Sequence, residues 1–383
     1  MQRPIYLDYQ ATTPMDQRVL AAMTPYFTEY FGNASSQHRY GWEAESAIKN
    51  ARRVIAESIH AQTEEIIFTS GATEANNLVI KGIAEAYFHQ GKHLITVQTE
   101  HRAVLDPCRY LETLGFEVTY LSVNTEGLID LKELEAAIRP DTILVSIMAA
   151  NNEIGVLQPL TEIGKICRCH QVLFHTDAAQ AIAKIPLNVE TMQIDLMSLT
   201  AHKIYGPKGI GALYVRRRNP KVNLAPQMQG GGQEQGLRAG TLYTPQIVGF
   251  ASAITLALDE LETEAQRLTI LRDKLWNGLK TLGGIHLNGH DRDRLPGNLN
   301  ISVEGVKGTS LLLALQPHIA LSSGSACSAT SANPSHVLTA LGRSKPLAQA
   351  SLRFGLGRFT TEEEIDHAIA ILTQTIQSLR ASN

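Results

Sequence analysis

Short apolar runs alternate with amphipathic stretches along most of the chain. Residues 42–60 place their apolar side chains on one stripe, which predicts a helix. Apolar runs of strand length follow at residues 65–69, 93–98, 118–121, 142–148, 172–175, 195–200 and 210–215. Helical patterns separate most of these runs, and only a short glycine turn precedes the last one. We therefore expect an α/β sheet of about seven strands, largely parallel, with the last strand antiparallel.

The pattern changes after this sheet. Residues 246–282 predict a long helical stretch that carries the chain away from it. A strand at 298–303 and helices at 310–315 and 362–379 then predict a compact α+β unit. We expect a large domain at residues 16–254, and a small domain formed by residues 1–15 and 255–383.

Composition narrows the possible classes of partner. The chain has 383 residues, of which 44% are hydrophobic, and a formal net charge of −3. It can therefore bury a large core but offers no broad basic surface, so nucleic acid and anionic membranes are not expected as partners. The basic run at residues 216–218 is interpreted as an exposed turn. No apolar stretch approaches the roughly 18 residues of a membrane span, and no signal peptide is recognisable, so we expect a cytoplasmic protein.

The four cysteines are scattered along the chain. Cys108, Cys167, Cys169 and Cys327 form neither a disulfide framework nor a paired zinc-binding pattern. Cys167 and Cys169 lie in the helical-looking stretch 160–170 and are interpreted as packing residues. Cys327 lies among small polar residues without helical or strand periodicity, which predicts a mobile exposed loop.

Two predicted strands end in side chains that suit one cofactor. Lys203 closes the run 194–203 and leads into a glycine turn, where a lysine can form a Schiff base. Asp177 follows another apolar run, with Gln180 three residues later, and this pair suits the ring nitrogen and phenolic oxygen of pyridoxal phosphate. Taken singly, Lys203 would be a solvated surface charge and Asp177 a helix N-cap.

A third strand end suits a phosphate. The run 65–69 is followed by SGATE at 70–74, which predicts a helix whose first N–H groups are free to bind an anion. Gly71 allows close backbone approach and the Thr73 hydroxyl can donate, although alone the motif would be an ordinary strand-to-helix turn. All three motifs follow predicted strands, at the end where open α/β sheets bind ligands. Together they predict a pyridoxal phosphate site.

Five separated motifs occur in the order found in one enzyme family. They are YLDYQATTP (6–14), SGATE (70–74), NNEIG (151–155), AHKIYGPKG (201–209) and SSGSAC (322–327). Over essentially its whole length the sequence resembles the cysteine desulfurases of the class V aminotransferase group, close to the housekeeping branch that supplies iron–sulfur cluster assembly. The resemblance implies fold-type I, the aspartate-aminotransferase-like architecture, and a homodimer with active sites at the subunit interface.

The resemblance also implies roles for individual residues. Lys203 would carry the cofactor as an aldimine, and His101 would stack on its ring and take part in proton transfer. Without the family context, His101 is interpreted as a helix-capping histidine. The implied cofactor-binding set is Ala72, Thr73, His101, Asn152, Asp177, Gln180, Thr200, His202, Lys203 and Thr241. Thr241 ends the glycine-rich segment 230–241, which would cross to the partner subunit and reach its phosphate.

The implied reaction uses the loop cysteine. Asn152 and Arg353 would hold the substrate, with Arg353 clamping its carboxylate and Arg358 as the competing arginine. The catalytic residues would be Cys327, Lys203 and His101. L-cysteine would become L-alanine while its sulfur passes to Cys327 as a persulfide. From composition alone, Cys327 would be an incidental loop thiol.

Other functions and the sulfur acceptor stay open at this point. A pyridoxal phosphate-dependent C–S lyase or aminotransferase would act on another amino acid without using Cys327, and a non-catalytic member would serve only as a binding subunit. No permanent metal is expected, although a nascent iron–sulfur cluster on a scaffold protein would contact Cys327 transiently. Housekeeping members continue into a C-terminal extension that engages the scaffold, whereas this sequence stops at Asn383.

Overall fold

The computed structural model describes residues 3–323 and 334–382. Its strands are β1 (Ile5–Tyr6), β2 (Ile66–Thr69), β3 (His93–Val97), β4 (Glu117–Leu121), β5 (Thr142–Ser146), β6 (Leu173–Asp177), β7 (Leu196–Thr200), β8 (Gly211–Val215), β9 (Ile285–Leu287), β10 (Asn298–Val303), β11 (Ile319–Ala320) and β12 (Ser351–Gly355). Its α-helices are α1 (Gln17–Met23), α2 (Pro25–Thr28), α3 (Arg39–Ser58), α4 (Ala72–Ala86), α5 (Arg102–Glu112), α6 (Leu131–Ala137), α7 (Leu160–Cys169), α8 (Thr244–Asp259), α9 (Leu261–Lys280), α10 (Gly308–Leu315), α11 (His336–Ala340), α12 (Lys345–Gln349) and α13 (Glu362–Ala381).

Seven strands form the largest sheet, in the spatial order β2-β8-β7-β6-β5-β3-β4. The pairs among β3, β4, β5, β6 and β7 are parallel, whereas β8 runs antiparallel to both β2 and β7. Residues 201–210, which join β7 to β8, are fewer than the roughly one dozen that a parallel crossover needs. The predicted α/β sheet, with its antiparallel last strand, is confirmed.

Both faces of this sheet are buried. Phe174 and Met197 belong to one hydrophobic cluster, while the preceding residues, Leu173 and Leu196, belong to another. Successive side chains of a strand point to opposite faces, so continuous apolar runs are the pattern of a sheet covered on both sides. Because side chains pack on both faces, the strands are held in position. Their ends can therefore hold the residues of a site in place.

A separate core lies around the antiparallel sheet β9-β10-β12. Leu275 of α9 and Leu372 of α13 pack there with Leu299 of β10 and Phe354 of β12. Leu7, near the start of the chain, joins the same cluster. The predicted domain boundaries, 16–254 against 1–15 with 255–383, stay a prediction.

The helical stretch predicted at 246–282 is two helices. Glu260 lies between α8 and α9, and its φ of −102° and ψ of 0° lie outside the α-helical range. The break separates two packing surfaces, because Ile254 of α8 belongs to a core on the large sheet and Leu275 of α9 belongs to the small core. Within the described residues, none of the helices is long and apolar enough to cross a membrane.

Two local predictions are wrong. Cys167 is buried as expected, but Cys169 is exposed, because residues two apart on a helix point in directions roughly 200° apart.

Arg216 does not lie in an exposed turn. It is 4% exposed, donates to the carbonyl oxygens of Ile194 and Val189, and pairs with Glu190 and Asp195, so its charge is neutralised inside the protein.

Candidate active site

The carboxyl ends of β6 and β7 and the N-terminus of α4 surround a cavity of about 490 Å³. Nine of the predicted site residues line it, namely Ala72, Thr73, His101, Asn152, Asp177, Gln180, Thr200, His202 and Lys203. Arg353 and Thr241 are not among its lining residues, and Cys327 lies outside the described residues. The fold thus brings together motifs that are up to about 130 positions apart in the sequence, because parallel strands share one edge.

Asp177 is the last residue of β6 and is 6% exposed. Its Oδ2 accepts a 2.7 Å hydrogen bond from Asn76 Nδ2, and its Oδ1 accepts one of 2.9 Å from the backbone N–H of Ala179. The second bond is the cap interaction of a helix start, but the residues after Ala179 form turns rather than a helix. Asp177 is therefore a buried carboxylate with a fixed orientation.

A phosphate-sized anion can be accommodated at the start of α4. Gly71 is the N-cap, at a φ of 154° that disfavours side chains. A Cβ on Gly211 would lie 2.6 Å from Gly71 Cα, so the two backbones can approach this closely only with glycine. The first N–H groups of a helix lack intrahelical partners. With the hydroxyls of Thr73 and Thr200 and the ammonium of Lys208 around the same cavity, they favour an anion.

His101 caps α5 and also lines the cavity. Its Nδ1 accepts a 3.1 Å hydrogen bond from the N–H of Ala103, so the neutral ring carries its hydrogen on Nε2. Burial lowers the pKa of His101, and the positive charge of Lys203 lowers it further, while Asp177 opposes both. The capping role and a role in the cavity are therefore compatible, since each uses a different ring nitrogen.

His202 is held by the N-terminal segment. Its carbonyl oxygen accepts hydrogen bonds from Thr13 Oγ1 at 2.9 Å and from the Thr13 N–H at 3.0 Å, and its Nδ1 lies 3.1 Å from Thr12 Oγ1. Burial, followed by the positive charge of Lys203, lowers the pKa of His202 to about 4. The imidazole is consequently neutral at physiological pH and can hydrogen-bond a ligand without adding charge.

The carboxamide of Gln180 is held between two groups. Its Nε2 donates a 2.9 Å hydrogen bond to the carbonyl oxygen of Gln10, and its Oε1 lies 3.4 Å from Lys184 Nζ. The two contacts fix which end of the amide is oxygen and which is nitrogen. Gln180 therefore presents a defined face to the cavity.

Arg353 is a buried neighbour of the cavity. It is 2% exposed, and its Nη2 donates to Asp8 Oδ1 at 2.8 Å and to Ser322 Oγ at 3.1 Å. Its Nη1 donates to the carbonyl oxygen of Asn152 at 3.0 Å. Arg353 thus fixes the backbone of a residue that does line the cavity.

The competing arginine, Arg358, belongs to a different network. Its Nε lies 3.0 Å from Glu264 Oε2, its Nη1 lies 2.9 Å from Asp16 Oδ2, and its guanidinium lies 4.3 Å over the ring of Tyr205. These contacts occupy the planar face of the guanidinium and its Nε and Nη1 donors. Arg358 therefore serves to join α9 to the N-terminal segment.

Three residues around the cavity were missed from the sequence. Asn76 had a signal in the sequence, because it interrupts the apolar stripe of α4. In the structure it is fully buried. Glu100 had no such signal; burial, and then the negative charge of Asp177, raises its pKa well above the usual range. Its Oε1 accepts a hydrogen bond from the N–H of Met148, a residue that lines the cavity. Lys208 adds a positive charge to the cavity at the start of α4. It lies in the glycine turn after Lys203 and was not predicted to be a site residue.

The arrangement has the chemistry of a pyridoxal phosphate site. A buried carboxylate, a lysine and a helix N-terminus with hydroxyl groups surround one cavity. These groups match, in turn, a protonated ring nitrogen, an aldehyde and a phosphate. Such a site can labilise bonds at the Cα of an amino acid.

Comparison with known proteins gives one family. The profile of the aminotransferase class-V family matches residues 5–368. Cysteine desulfurase IscS of Shewanella sp. (strain MR-4) is 55% identical over 383 residues, covering 99% of this chain and 94% of that protein. A solved NifS-like protein has a TM-score of 0.92 at 38% identity, covering 98% of this chain and all of its own. SspA, solved in complex with cysteine, has a TM-score of 0.83 at 40% identity, covering 93% and 100%. The chain belongs to the class-V aminotransferase family, as the five motifs predicted.

Proposed function

We propose that this chain is a pyridoxal phosphate-dependent cysteine desulfurase, which converts L-cysteine to L-alanine and places the sulfur on Cys327 as a persulfide. The observation that carries the proposal is that Asp177, Lys203 and the N-terminus of α4 line one cavity. The relatives support the substrate, because the Shewanella protein is named a cysteine desulfurase and SspA was solved with cysteine.

The cavity residues hold the cofactor. Asp177, fixed by Asn76 and Ala179, keeps the ring nitrogen protonated. The first N–H groups of α4 at Ala72 and Thr73, with the side chains of Thr200 and His202, bind the phosphate. Gln180 and Asn152 hydrogen-bond around the phenolic oxygen and the substrate. When bound, the cofactor withdraws electrons from the Cα of the attached amino acid.

The remaining cavity residues handle the substrate and its protons. Lys203 would hold the cofactor, and its amine would accept the proton from the substrate Cα. His101 would bind beside the cofactor and donate from Nε2, since its Nδ1 accepts the capping hydrogen bond from Ala103. Arg353 binds the substrate carboxylate beside Asn152, and its contacts to Asp8 and Ser322 orient it beforehand.

Cys327 receives the sulfur. Its thiolate attacks the sulfur of L-cysteine, so that an S–S bond forms as the C–S bond breaks. The C–S electron pair stays with the substrate Cβ, which gains one proton and becomes the methyl group of L-alanine. One thiol and one L-cysteine thus give one persulfide and one L-alanine, and no external oxidant is required.

The active enzyme is a homodimer. Thr241 is exposed and lies apart from the cavity of its own chain, which supports its assignment to the partner's phosphate. Near it in sequence, Tyr243 contacts Phe27 with a 6.3 Å ring separation, and Phe31 contacts Tyr40 at 5.5 Å. All four rings are at least 48% exposed. Exposed aromatic side chains of this kind are enriched at protein interfaces, and we assign both pairs to the contact with the second subunit.

The sulfur leaves by thiol exchange. A thiolate on an acceptor attacks the outer sulfur of a persulfide and regenerates Cys327. We propose that the acceptor is a cytoplasmic iron–sulfur scaffold protein or another protein with a reactive cysteine. The substrate-derived sulfur, rather than a resident metal, is then what the protein delivers.

Intact-protein mass spectrometry tests the proposed reaction. After L-cysteine is added to the purified enzyme, we expect a gain of about 32 Da that maps to the Cys327 peptide and is removed by a thiol reductant. C327S should lose both the mass gain and L-alanine formation. C169S is the matched control, since Cys169 is exposed on α7, and it should retain both.

One result would reject the desulfurase. If C327S releases sulfide and pyruvate from L-cysteine at the wild-type rate, the chain is a pyridoxal phosphate-dependent C–S lyase. If the purified protein lacks the visible absorbance of bound pyridoxal phosphate and cannot be loaded with it, the cofactor assignment is wrong.

A further inference from the structure

A carboxylate lies at the end of the cavity where the phosphate is expected. Glu74 is in the first turn of α4 and lines the cavity with Ala72, Thr73 and Lys208. Its Oε2 accepts a 2.9 Å hydrogen bond from the N–H of Ser70, so the carboxylate is beside the turn that precedes the helix. None of the steps proposed above gives Glu74 a role.

The charge of Glu74 suits the helix but not a phosphate. A carboxylate in the first turn stabilises a helix, because it faces the positive end of the helix dipole. A phosphate uses that same end and is repelled by a neighbouring negative charge. Burial opposes the charge of Glu74, but hydrogen bonds from Arg238 and Ser70 outweigh burial and lower its pKa. The carboxylate is therefore ionised at neutral pH, and an anion beside it requires a compensating positive charge.

Arg238 provides that charge from a distant part of the chain. Its Nε donates a 2.9 Å hydrogen bond to Glu74 Oε1, and its Nη2 donates one of 3.4 Å to Oε2, so the guanidinium engages both carboxylate oxygens. The side chains of Arg238 and Glu74 are 21% and 20% exposed, and solvent screens the pair only in part. Arg238 belongs to the glycine-rich segment 230–241 and is not among the described residues that line the cavity.

We propose that Arg238 is a positioning residue that sets the affinity of the cavity for phosphate by neutralising Glu74. The inference rests on the proposed function, because the phosphate is that of the proposed cofactor. With Glu74 neutralised, the positive end of α4 and the ammonium of Lys208 attract the anion. Asp177 is the other acidic residue among the described residues that line the cavity, and its proposed partner is the ring nitrogen.

Binding of two related ligands to the full-length apoprotein tests this inference. Pyridoxal phosphate carries the phosphate and pyridoxal lacks it. R238M leaves Glu74 unpaired, so the Kd for pyridoxal phosphate should rise about tenfold, while the Kd for pyridoxal changes less than about twofold. Inorganic phosphate, measured by calorimetry, should also bind R238M about tenfold more weakly.

A second substitution should reverse the effect. The double variant E74Q/R238M also lacks the negative charge, and its affinity for pyridoxal phosphate should return to within about threefold of wild type. R53M is the matched control, because Arg53 pairs with Glu57 on the exposed face of α3. It should bind both ligands as wild type does.

Three results would overturn the inference. They are unchanged phosphate affinity in R238M, equal losses for pyridoxal phosphate and pyridoxal, and no recovery in E74Q/R238M, which would mean that Arg238 acts by placing the segment 230–241. If R238M does not fold, E74Q alone should bind pyridoxal phosphate about threefold more tightly than wild type, and no tightening would contradict the inference.

Failure of the proposed function gives a different result. If wild type binds inorganic phosphate but not pyridoxal phosphate, the cofactor assignment is wrong. The comparison of inorganic phosphate binding between wild type and R238M then still decides whether Arg238 sets the affinity for phosphate.

Discussion

The orientation of Asp177 depends on a residue from a distant helix. Asn76 lies on α4, 101 positions earlier, and donates the 2.7 Å bond that fixes Oδ2. Together with the bond from the Ala179 N–H, it restricts rotation of the carboxylate. The cavity thus holds an oriented carboxylate, which we propose faces the ring nitrogen of the cofactor.

Replacing this carboxylate should abolish chemistry without abolishing binding. D177N keeps the size of the side chain but cannot hold a proton on the ring nitrogen, so alanine formation should fall by roughly 100-fold or more. Lys203 should still carry the cofactor, and visible absorbance should persist at an altered wavelength. Steady-state kinetics and the absorption spectrum measure the two effects.

A buried carboxylate elsewhere is the matched control for D177N. Asp195 is 2% exposed and pairs with Arg168 and Arg216, away from the cavity. D195N should lower stability but keep most of the activity per folded molecule. Equal activity losses in the two variants would show that Asp177 matters only for folding.

At the scale of elements, one histidine links three strands of the large sheet. His175 of β6 lies 2.8 Å from Ser146 Oγ on β5 through Nδ1, and 3.0 Å from Ser198 Oγ on β7 through Nε2. Burial lowers the pKa of His175 to about 4. The neutral ring therefore belongs to the folded state, and protonation favours unfolding.

Acidification should consequently weaken the sheet. In the unfolded chain a histidine binds its proton near pH 6.5, so the contribution of His175 is complete above that pH and is lost as the pH falls towards 4. The loss should be about 3 kcal/mol over this window. Urea unfolding of wild type and H175Q at several pH values measures it, and the variant should show the smaller pH dependence.

If H175Q matches wild type between pH 7 and 4, the protonation of His175 does not oppose folding.

At the scale of the whole molecule, the proposed dimer predicts complementation. Lys203 and Thr241 would serve the same site from different subunits, so K203A chains and T241A chains each lack one half of it. A heterodimer purified through two different tags should contain one intact site and show about half of the wild-type activity. The K203A homodimer should be inactive, and the T241A homodimer should bind the cofactor weakly.

A cis arrangement gives a different result. If Thr241 serves the cavity of its own chain, every site in the heterodimer carries one of the two substitutions, and activity stays at the T241A level or below. Sedimentation of the wild type as a monomer would also contradict the shared site.

The pattern of apolar runs in the sequence was sufficient to predict the large sheet and much of the candidate site. Asp177, Lys203 and the segment 70–74 could be placed because each follows an apolar run, and the ends of parallel strands meet at one edge. The break at Glu260 could not be placed, since both flanking segments are helical and only their packing on different cores separates them. The burial of Arg216 was missed because its neutralising partners come from the segment before β7.

The sequence by itself determined the order of strands and helices, the family, and which residue types follow each strand, because these depend on periodicity and on motifs within a few positions. Only the tertiary structure decided which side chains act on one another. The pairing of Asn76 with Asp177 and the link between Arg353 and Asn152 both join distant segments. Burial and electrostatics depend on distance in space, which the separation along the chain does not reveal.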